Sequence, residues 1–171
     1  MTEFHFEEIV PMDQRPDEAY TKNVEDRTTY SERRNTSFGE EWEALKRTHQ
    51  VLPDYVPQPI SAVWNEDDEL QQYSMQQYDF DSRIEYALED GFDPAMVEDA
   101  YAELEEVIAI IHDHDDLVPH GDLIGNTFIA DGSPVLIDPR GIPQDDEEAE
   151  EWMEEDIWQL NWLKENGLKG L

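Results

Sequence analysis

One segment of the chain brings together side chains that could hold a metal ion. It runs His120-Gly121-Asp122-Leu123-Ile124-Gly125-Asn126, and Asp138-Pro139-Arg140-Gly141 follows after a short interval. Carboxylate and amide oxygens are the ligands that magnesium takes in proteins. Asp122, Asn126 and Asp138 are therefore the residues from which chemistry is expected, provided that the fold makes them converge.

The element that must position these residues is a predicted hairpin. Two short apolar strands are expected, over residues 127–130 and 135–137, joined by Asp131-Gly132. Such a pair tolerates the positive φ angles that a tight hairpin turn needs. Asn126 and Asp138 would then sit at neighbouring ends of one hairpin, with Asp122 just before it. This is a physical reason to expect the three side chains to meet.

The first half of the sequence combines strand patterns with one helix. Four strands are predicted, over residues 4–10, 19–22, 59–64 and 70–78. A polar loop is expected over residues 23–37, and helical periodicity begins at Phe38 and ends before Pro53, because proline cannot continue a helix. Three residues are expected on the buried face of this helix: Trp42, Leu45 and His49.

The second half, after Asp81, is predicted to be mostly helical around the hairpin. One helix starts with Asp93 as its N-cap and Pro94 in the first helical position. Its apolar face comprises Val97, Tyr101, Leu104, Val107 or Ile108, and Ile111. A final amphipathic helix is expected to follow a very acidic run and to end at Asn166-Gly167. Its buried face is predicted to hold Trp152, Ile157, Leu160 and Leu163.

The charge of the chain is extreme, with 44 acidic against 11 basic residues and a formal net charge of −33. Self-repulsion of this size opposes a compact state in dilute buffer, but at 1 M salt the Debye length falls to roughly 3 Å. We therefore expect the protein to work in the high-salt cytoplasm of a halophile. It would belong to the halophile or to a virus that replicates in it. Direct nucleic-acid binding is not expected, because the phosphate backbone would be repelled.

Composition excludes further classes of protein. The content of 38% hydrophobic and 11% aromatic residues can support a core, so an acidic disordered chain is disfavoured. Cysteine is absent, which excludes disulfides, thiolate metal sites and a cysteine nucleophile. The first residues lack a signal-peptide pattern, and no apolar run approaches the roughly 18 residues of a membrane span. A cytoplasmic protein without a membrane span is expected.

The segment from His120 to Gly141 resembles the protein-kinase-like superfamily, in particular RIO-type kinases and aminoglycoside and other small-molecule phosphotransferases. The resemblance covers about residues 19 to 163. It implies an α+β, two-lobed fold in a single minimal domain over residues 1–171. Residues 1–77 would form a small, mostly β lobe with one helix, and residues 78–171 a short, mostly helical lobe.

The same resemblance implies roles for the residues of the hairpin segment. Asp122 would orient or deprotonate the hydroxyl of the acceptor, as the catalytic residue. Asn126 and Asp138 would bind the metal ions on the nucleotide phosphates. Asp156 resembles the helix aspartate that steadies the catalytic loop in this superfamily.

The resemblance extends to the cofactor-binding residues of the first half. Lys22 is similar to the strand lysine that contacts the phosphates, although a solvated surface lysine is an equal alternative. Glu41 is similar to its helix partner, but Glu40 and Glu43 compete for that role. The backbone from Gln76 to Tyr78 would face an adenine.

The implied function is an ATP- and Mg²⁺-dependent phosphotransferase that moves the γ-phosphoryl group to a hydroxyl of a small molecule, a protein or the chain itself. The alternative is a catalytically weak or inactive kinase-like module that binds nucleotide or a partner. Two departures favour this alternative. Only three residues separate Asp122 from Asn126, where the family usually has four, and no glycine precedes Gly39, so a Gly-rich loop is missing.

Two features remain open at this level. His112-Asp113-His114-Asp115-Asp116 resembles the metal motif of metallo-β-lactamase-like hydrolases, but Leu117 stands where a further histidine would be and the preceding residues keep helical periodicity. His112 and His120 are more simply interpreted as structural. Arg140 could reach a phosphate or pair with the acidic segment that follows it.

Overall fold

The computed structural model describes residues 3–26 and 37–171, and these residues form a mixed α/β structure with three α-helices and two antiparallel sheets. The elements in chain order are β1 (His5–Glu8), β2 (Ala19–Asn23), α1 (Phe38–Val51), β3 (Pro59–Trp64), β4 (Leu70–Gln76), β5 (Ser82–Arg83), α2 (Pro94–Asp113), β6 (Thr127–Ala130), β7 (Ser133–Leu136) and α3 (Asp146–Gly167). Short 3-10 turns occur at Met12–Gln14, Val24–Asp26 and Ile84–Tyr86. Of the polar loop predicted over residues 23–37, residues 27–36 lie outside the described part.

The first sheet has four strands in the order β1-β3-β4-β2, and α1 packs against it. Ser37 caps α1 and forms a capping box with Glu40, which explains why the helix starts where the periodicity begins. The rings of Phe38 and Trp42 each lie 5.1 Å from the ring of Tyr73 in β4. Tyr73 is the register partner of Lys22 in the edge strand β2. The sheet therefore carries Lys22 alongside α1.

The second sheet, with the order β5-β6-β7, packs against α2, and α3 packs against α2 and the 3-10 turn at Ile84–Tyr86. The predicted apolar face of α2 is confirmed, since all its members are buried. The predicted hairpin is also confirmed: β6 and β7 are joined by Asp131 (φ 50°) and Gly132 (φ 83°). Across both sheets, buried residues form one hydrophobic cluster. In the described residues, no helix combines the length and the apolar composition that crossing a bilayer requires.

Several sequence predictions are wrong in detail. In the region predicted to be mostly helical, residues 82–83 form a short strand that pairs with β6. Asp93 occupies the N-cap position, but its side chain makes no capping hydrogen bond. Helix α3 starts inside the acidic run, where the Asp145 side chain accepts a hydrogen bond from the Glu148 amide. Ile157 was expected in the core and is instead 47% exposed.

Gly167 was predicted to end the last helix, and α3 does end at this residue, although Gly167 has no positive φ. Its function is to make room for a tyrosine. A Cβ atom at this position would lie 1.7 Å from the Tyr101 hydroxyl, which donates a 2.8 Å hydrogen bond to the Leu163 carbonyl. The absence of a side chain at Gly167 thus allows α2 and α3 to pack closely.

We expect Gly167→Ala to destabilise the protein by about 2–4 kcal/mol, although alanine favours a helix over glycine by about 1 kcal/mol. The added methyl group must displace the Tyr101 ring from its hydrogen bond and its packing. Chemical denaturation in molar KCl measures the loss. In a Tyr101→Leu background the same substitution should be clearly less destabilising; equal penalties in both backgrounds would exclude the proposed contact.

Candidate functional site

A fully buried carboxylate, that of Asp156 in α3, organises the loop that precedes the hairpin. Its Oδ1 accepts a hydrogen bond from the Gly121 amide at 2.8 Å, and its Oδ2 accepts one from the His120 amide at 2.9 Å. The Nε2 atom of His112 lies 2.9 Å from the same Oδ2. A carboxylate with several hydrogen-bond donors can remain ionised in a protein interior. Asp156 therefore holds the backbone on which Asp122 sits.

His120 connects the loop to the segment after the hairpin. Its Nε2 lies 2.7 Å from the Ile137 carbonyl, which can only accept, so the proton must be on Nε2. Its Nδ1 accepts a 3.1 Å hydrogen bond from the Asp122 amide, and its carbonyl accepts one from the Arg140 amide at 2.9 Å. His120 is a structural residue that aligns the Asp122 and Asp138 segments.

Asn126 and Asp122 are in direct contact. The side-chain amide nitrogen of Asn126 donates to the backbone carbonyl of Asp122 at 2.9 Å and to the Asp122 carboxylate at 3.0 Å. The Ile137 amide donates to the Asn126 carbonyl at 3.0 Å, which brings Asn126 beside the residue that precedes Asp138. Because the amide nitrogen is engaged, the side-chain oxygen of Asn126 is the atom left to bind a cation.

Asp138 has a φ of 48°, a left-handed conformation that is unfavourable for a residue with a Cβ. Strained residues of this kind persist where the surroundings hold them, and they concentrate at functional sites. The carboxylate of Asp138 is 41% exposed and lies 3.5 Å from the Lys22 ammonium. Asp138 thus presents an accessible carboxylate beside Lys22.

Lys22 forms a nearly buried ion pair with Glu41, their side chains being 12% and 6% exposed. Glu41 is therefore the helix partner of the lysine among the three candidate glutamates. Burial alone would lower the pKa of Lys22, but the carboxylates of Asp138 and Glu41 outweigh it and raise the pKa. The Tyr73 hydroxyl also contacts Glu41, at 3.5 Å. Lys22 is charged at neutral pH and is not a solvated surface lysine.

An open cleft of about 350 Å³ borders this charged group. The cleft is lined by apolar and amide side chains and by the carboxylate of Asp138. The lining residues are Tyr20, Pro57, Met75, Gln76, Gln77, Tyr78, Phe80, Ile137 and Asp138. Tyr78 stacks on Phe80, which stacks on Phe128 of β6. The Gln76 amide already donates to the Gln58 carbonyl at 2.8 Å, so of the predicted pair Gln76 and Tyr78, only Tyr78 keeps its backbone amide for a ligand.

Sequence reasoning missed the supports of the loop. Gln159 accepts a 2.8 Å hydrogen bond from the Ile124 amide, and Arg83 lies close to Gly125, where a Cβ would be 3.2 Å from its Nη2. Gln159 follows Asp156 by three positions and so shares its helix face, a signal that the sequence contains. Arg83 is distant from Gly125 in the sequence, and no spacing pattern indicates that the two residues meet.

The alternative metal site at His112 and His114 is not formed. His112 turns toward Asp156, whereas the Nδ1 of His114 accepts a hydrogen bond from the Asp116 amide at 3.1 Å. Within residues 3–26 and 37–171, no three histidine, aspartate or glutamate side chains are grouped as metal ligands.

The chain matches no protein family, no curated protein and no solved structure. The class of protein is therefore inferred from the chemistry of this site. The site comprises an ion-paired lysine, two aspartates and an asparagine beside a partly apolar cleft.

We expect Asp156→Asn to destabilise the protein by about 2–4 kcal/mol, since the new amide group would face backbone N–H donors in a buried site. Amide hydrogen exchange at His120 and Gly121 should also accelerate. Glu154→Gln, on the exposed face of the same helix, removes the same charge and should change stability by less than about 0.5 kcal/mol. Equal effects of the two substitutions would show that charge alone matters.

Proposed function

We propose that the protein is a minimal, two-lobed, protein-kinase-like phosphotransferase that uses ATP and Mg²⁺ to phosphorylate a hydroxyl group. Residues 1–77 would form the lobe that carries Lys22, and residues 78–171 the lobe that carries Asp122. The observation that carries the proposal is the contact of Lys22 with both Glu41 and Asp138. The contact between Lys22 and Asp138 joins residues 116 positions apart. In kinases, a lysine contacts the nucleotide phosphates and an aspartate holds the magnesium bound to them.

The charge of the chain strengthens this interpretation. In a protein with 44 acidic and 11 basic residues, a nearly buried lysine between two carboxylates is a specific feature. A polyphosphate needs a fixed cation, and Lys22 provides one whose position is set by Glu41. The raised pKa keeps this cation protonated throughout the neutral range.

The cleft next to Lys22 suits the base of a nucleotide. Its volume of about 350 Å³ is at the lower end of the usual range for small-molecule sites. Met75 and Ile137 offer apolar surfaces to a planar base, and the Tyr78 backbone offers polar atoms at the edge. A base in this cleft would direct its phosphates toward Asp138 and Lys22.

Asn126 and Asp138 are the residues that would hold magnesium, because each can present an oxygen ligand. Asp138 lies next to the lysine, and Asn126 adjoins the Asp138 segment through the Ile137 amide. The bound ion would neutralise charge on the phosphates. Asp122 would accept the hydrogen bond of the acceptor hydroxyl and align it for attack on the γ-phosphorus. His120 and Asn126 fix the Asp122 backbone and carboxylate for that task.

A second function remains, that of a silent module that binds nucleotide or a partner without turnover. It is favoured by the edge position of β2, which in the described sheet pairs with β4 alone. Since no glycine precedes Gly39, a Gly-rich cover over the phosphates has no sequence to form it. Binding without phosphoryl transfer would identify this second function.

We expect ATP with Mg²⁺ to raise the melting temperature by about 5 °C or more at about one hundred times the dissociation constant, measured in molar KCl. Lys22→Met should abolish this rise, because the phosphates lose their fixed cation. Lys46→Met is the control: it also removes a lysine from two carboxylates, but those of Glu7 and Glu43. If the wild-type protein shows no rise, or if both variants lose it, the assignment of the cleft is wrong.

We expect Asp122→Asn to keep nucleotide binding but to lower phosphoryl transfer or ATP hydrolysis by about 10²–10⁴-fold, as removal of an acid-base residue typically does. The assay uses radiolabelled ATP with the purified full chain. Asp115→Asn changes an exposed aspartate of the same region and should leave the rate unchanged. A wild-type rate no higher than that of Asp122→Asn would favour the silent module.

A further inference from the structure

Arg140 differs from most of the other cations that the structure describes. Among the lysines and arginines of residues 3–26 and 37–171, all but Arg140 and the exposed Lys169 form an ion pair with a carboxylate. The Arg140 side chain makes no hydrogen bond with a described residue, and its Nε is fully buried without a partner. In so acidic a protein, a half-buried arginine without a carboxylate partner is a feature that calls for a ligand.

Two contacts hold Arg140 in place. Its guanidinium group lies 4.6 Å from the ring centre of the buried Trp152, at cation–π distance. Its aliphatic stem fits against Gly121, where a Cβ would lie 2.8 Å from the Arg140 Cδ. The φ of Gly121 is 80°, so a glycine is needed there for both conformation and space. These contacts fix the guanidinium next to the residue that precedes Asp122.

A guanidinium presents a planar fork of N–H donors that matches the oxygens of a phosphate or a carboxylate. Stacking on Trp152 occupies the face of the group and leaves its edge for such oxygens. We propose that Arg140 binds the anionic group of the acceptor, so that the substrate is a small molecule with a hydroxyl for Asp122 and a phosphate or carboxylate for Arg140. This inference rests on the proposed phosphotransferase function.

A small molecule suits the site better than an acidic protein segment. The net charge of −33 would repel an extended polyanion over its whole length, whereas a small anion brings one or two charges to a single arginine. Arg140 lies two positions after Asp138, which is proposed to hold the magnesium on the nucleotide phosphates. A nucleotide phosphate is therefore the other anion that could bind Arg140. The test must separate these two anions.

The test follows the Arg140 Nε–H and Trp152 indole N–H signals by nuclear magnetic resonance in the full-length protein. Inorganic phosphate, glycerol 3-phosphate and glycerol are titrated at constant ionic strength, with and without ATP and Mg²⁺. We expect saturable shifts with both phosphate compounds and none with glycerol, and the shifts should persist when nucleotide is bound. Absence of saturable shifts, or their complete suppression by nucleotide, would overturn the proposal.

Variants give a second readout. Arg140→Met should weaken the binding of glycerol 3-phosphate at least tenfold without changing the nucleotide-induced rise in melting temperature. Arg140→Lys keeps the cation and should recover part of the affinity, which also covers the case that Arg140→Met fails to fold. Arg47→Met removes a surface arginine paired with Glu43 and should change neither. Loss of nucleotide binding in Arg140→Lys would assign Arg140 to the nucleotide and reject the acceptor site.

The two proposals fail in different ways. If ATP gives no rise in melting temperature but phosphate still shifts the Arg140 signal, the anion site stands and the phosphotransferase function falls. If ATP binds and phosphate leaves Arg140 unchanged, only the anion site is rejected.

Discussion

The buried carboxylate of Asp156 is the interaction on which the site depends. It receives two backbone amides, from His120 and Gly121, and faces the His112 imidazole, so that a single side chain of α3 fixes the end of α2 and the loop before the hairpin. Burial of a charge is unfavourable by several kcal/mol unless hydrogen bonds compensate for it. Here the compensation comes from backbone that would otherwise be free to move. The hydrogen bonds that stabilise the buried carboxylate therefore also hold the backbone before Asp122 in one geometry.

In this extremely acidic chain, two kinds of contact hold the cations near the Asp122 loop. Repulsion among 44 acidic residues makes each fixed cation significant, and the described cations are almost all bound to carboxylates. Lys22 is set between Glu41 and Asp138, whereas Arg140 is held by an aromatic ring and by the space above a glycine. These are two different physical means of fixing positive charge. The first places the charge between two carboxylates, and the second leaves it without a carboxylate partner.

Much of the secondary structure could be predicted because local patterns determine it. The periodicity of α1 and α2, the proline that limits α1 and the Asp131-Gly132 turn all act over a few residues. The errors arise where distant contacts decide. Ile157 lies at the surface rather than in the core, because the face of α3 that is turned toward the loop carries Asp156. Gly167 ends α3 as predicted, but the reason that it must be a glycine is the contact with Tyr101 on another helix, which the sequence does not show.

The sequence by itself determined the candidates: an Asp, Asn and Asp set around one hairpin, a lysine on a strand and an excess of acid. Local spacing and charge are enough for that. Only the tertiary structure decided that Glu41 rather than Glu40 or Glu43 pairs with Lys22, that this pair reaches Asp138, and that Arg140 stacks on Trp152. Each of these facts depends on the packing of segments far apart in the chain. Glutamates that look alike in sequence become different when one is buried beside a lysine and the others remain at the surface.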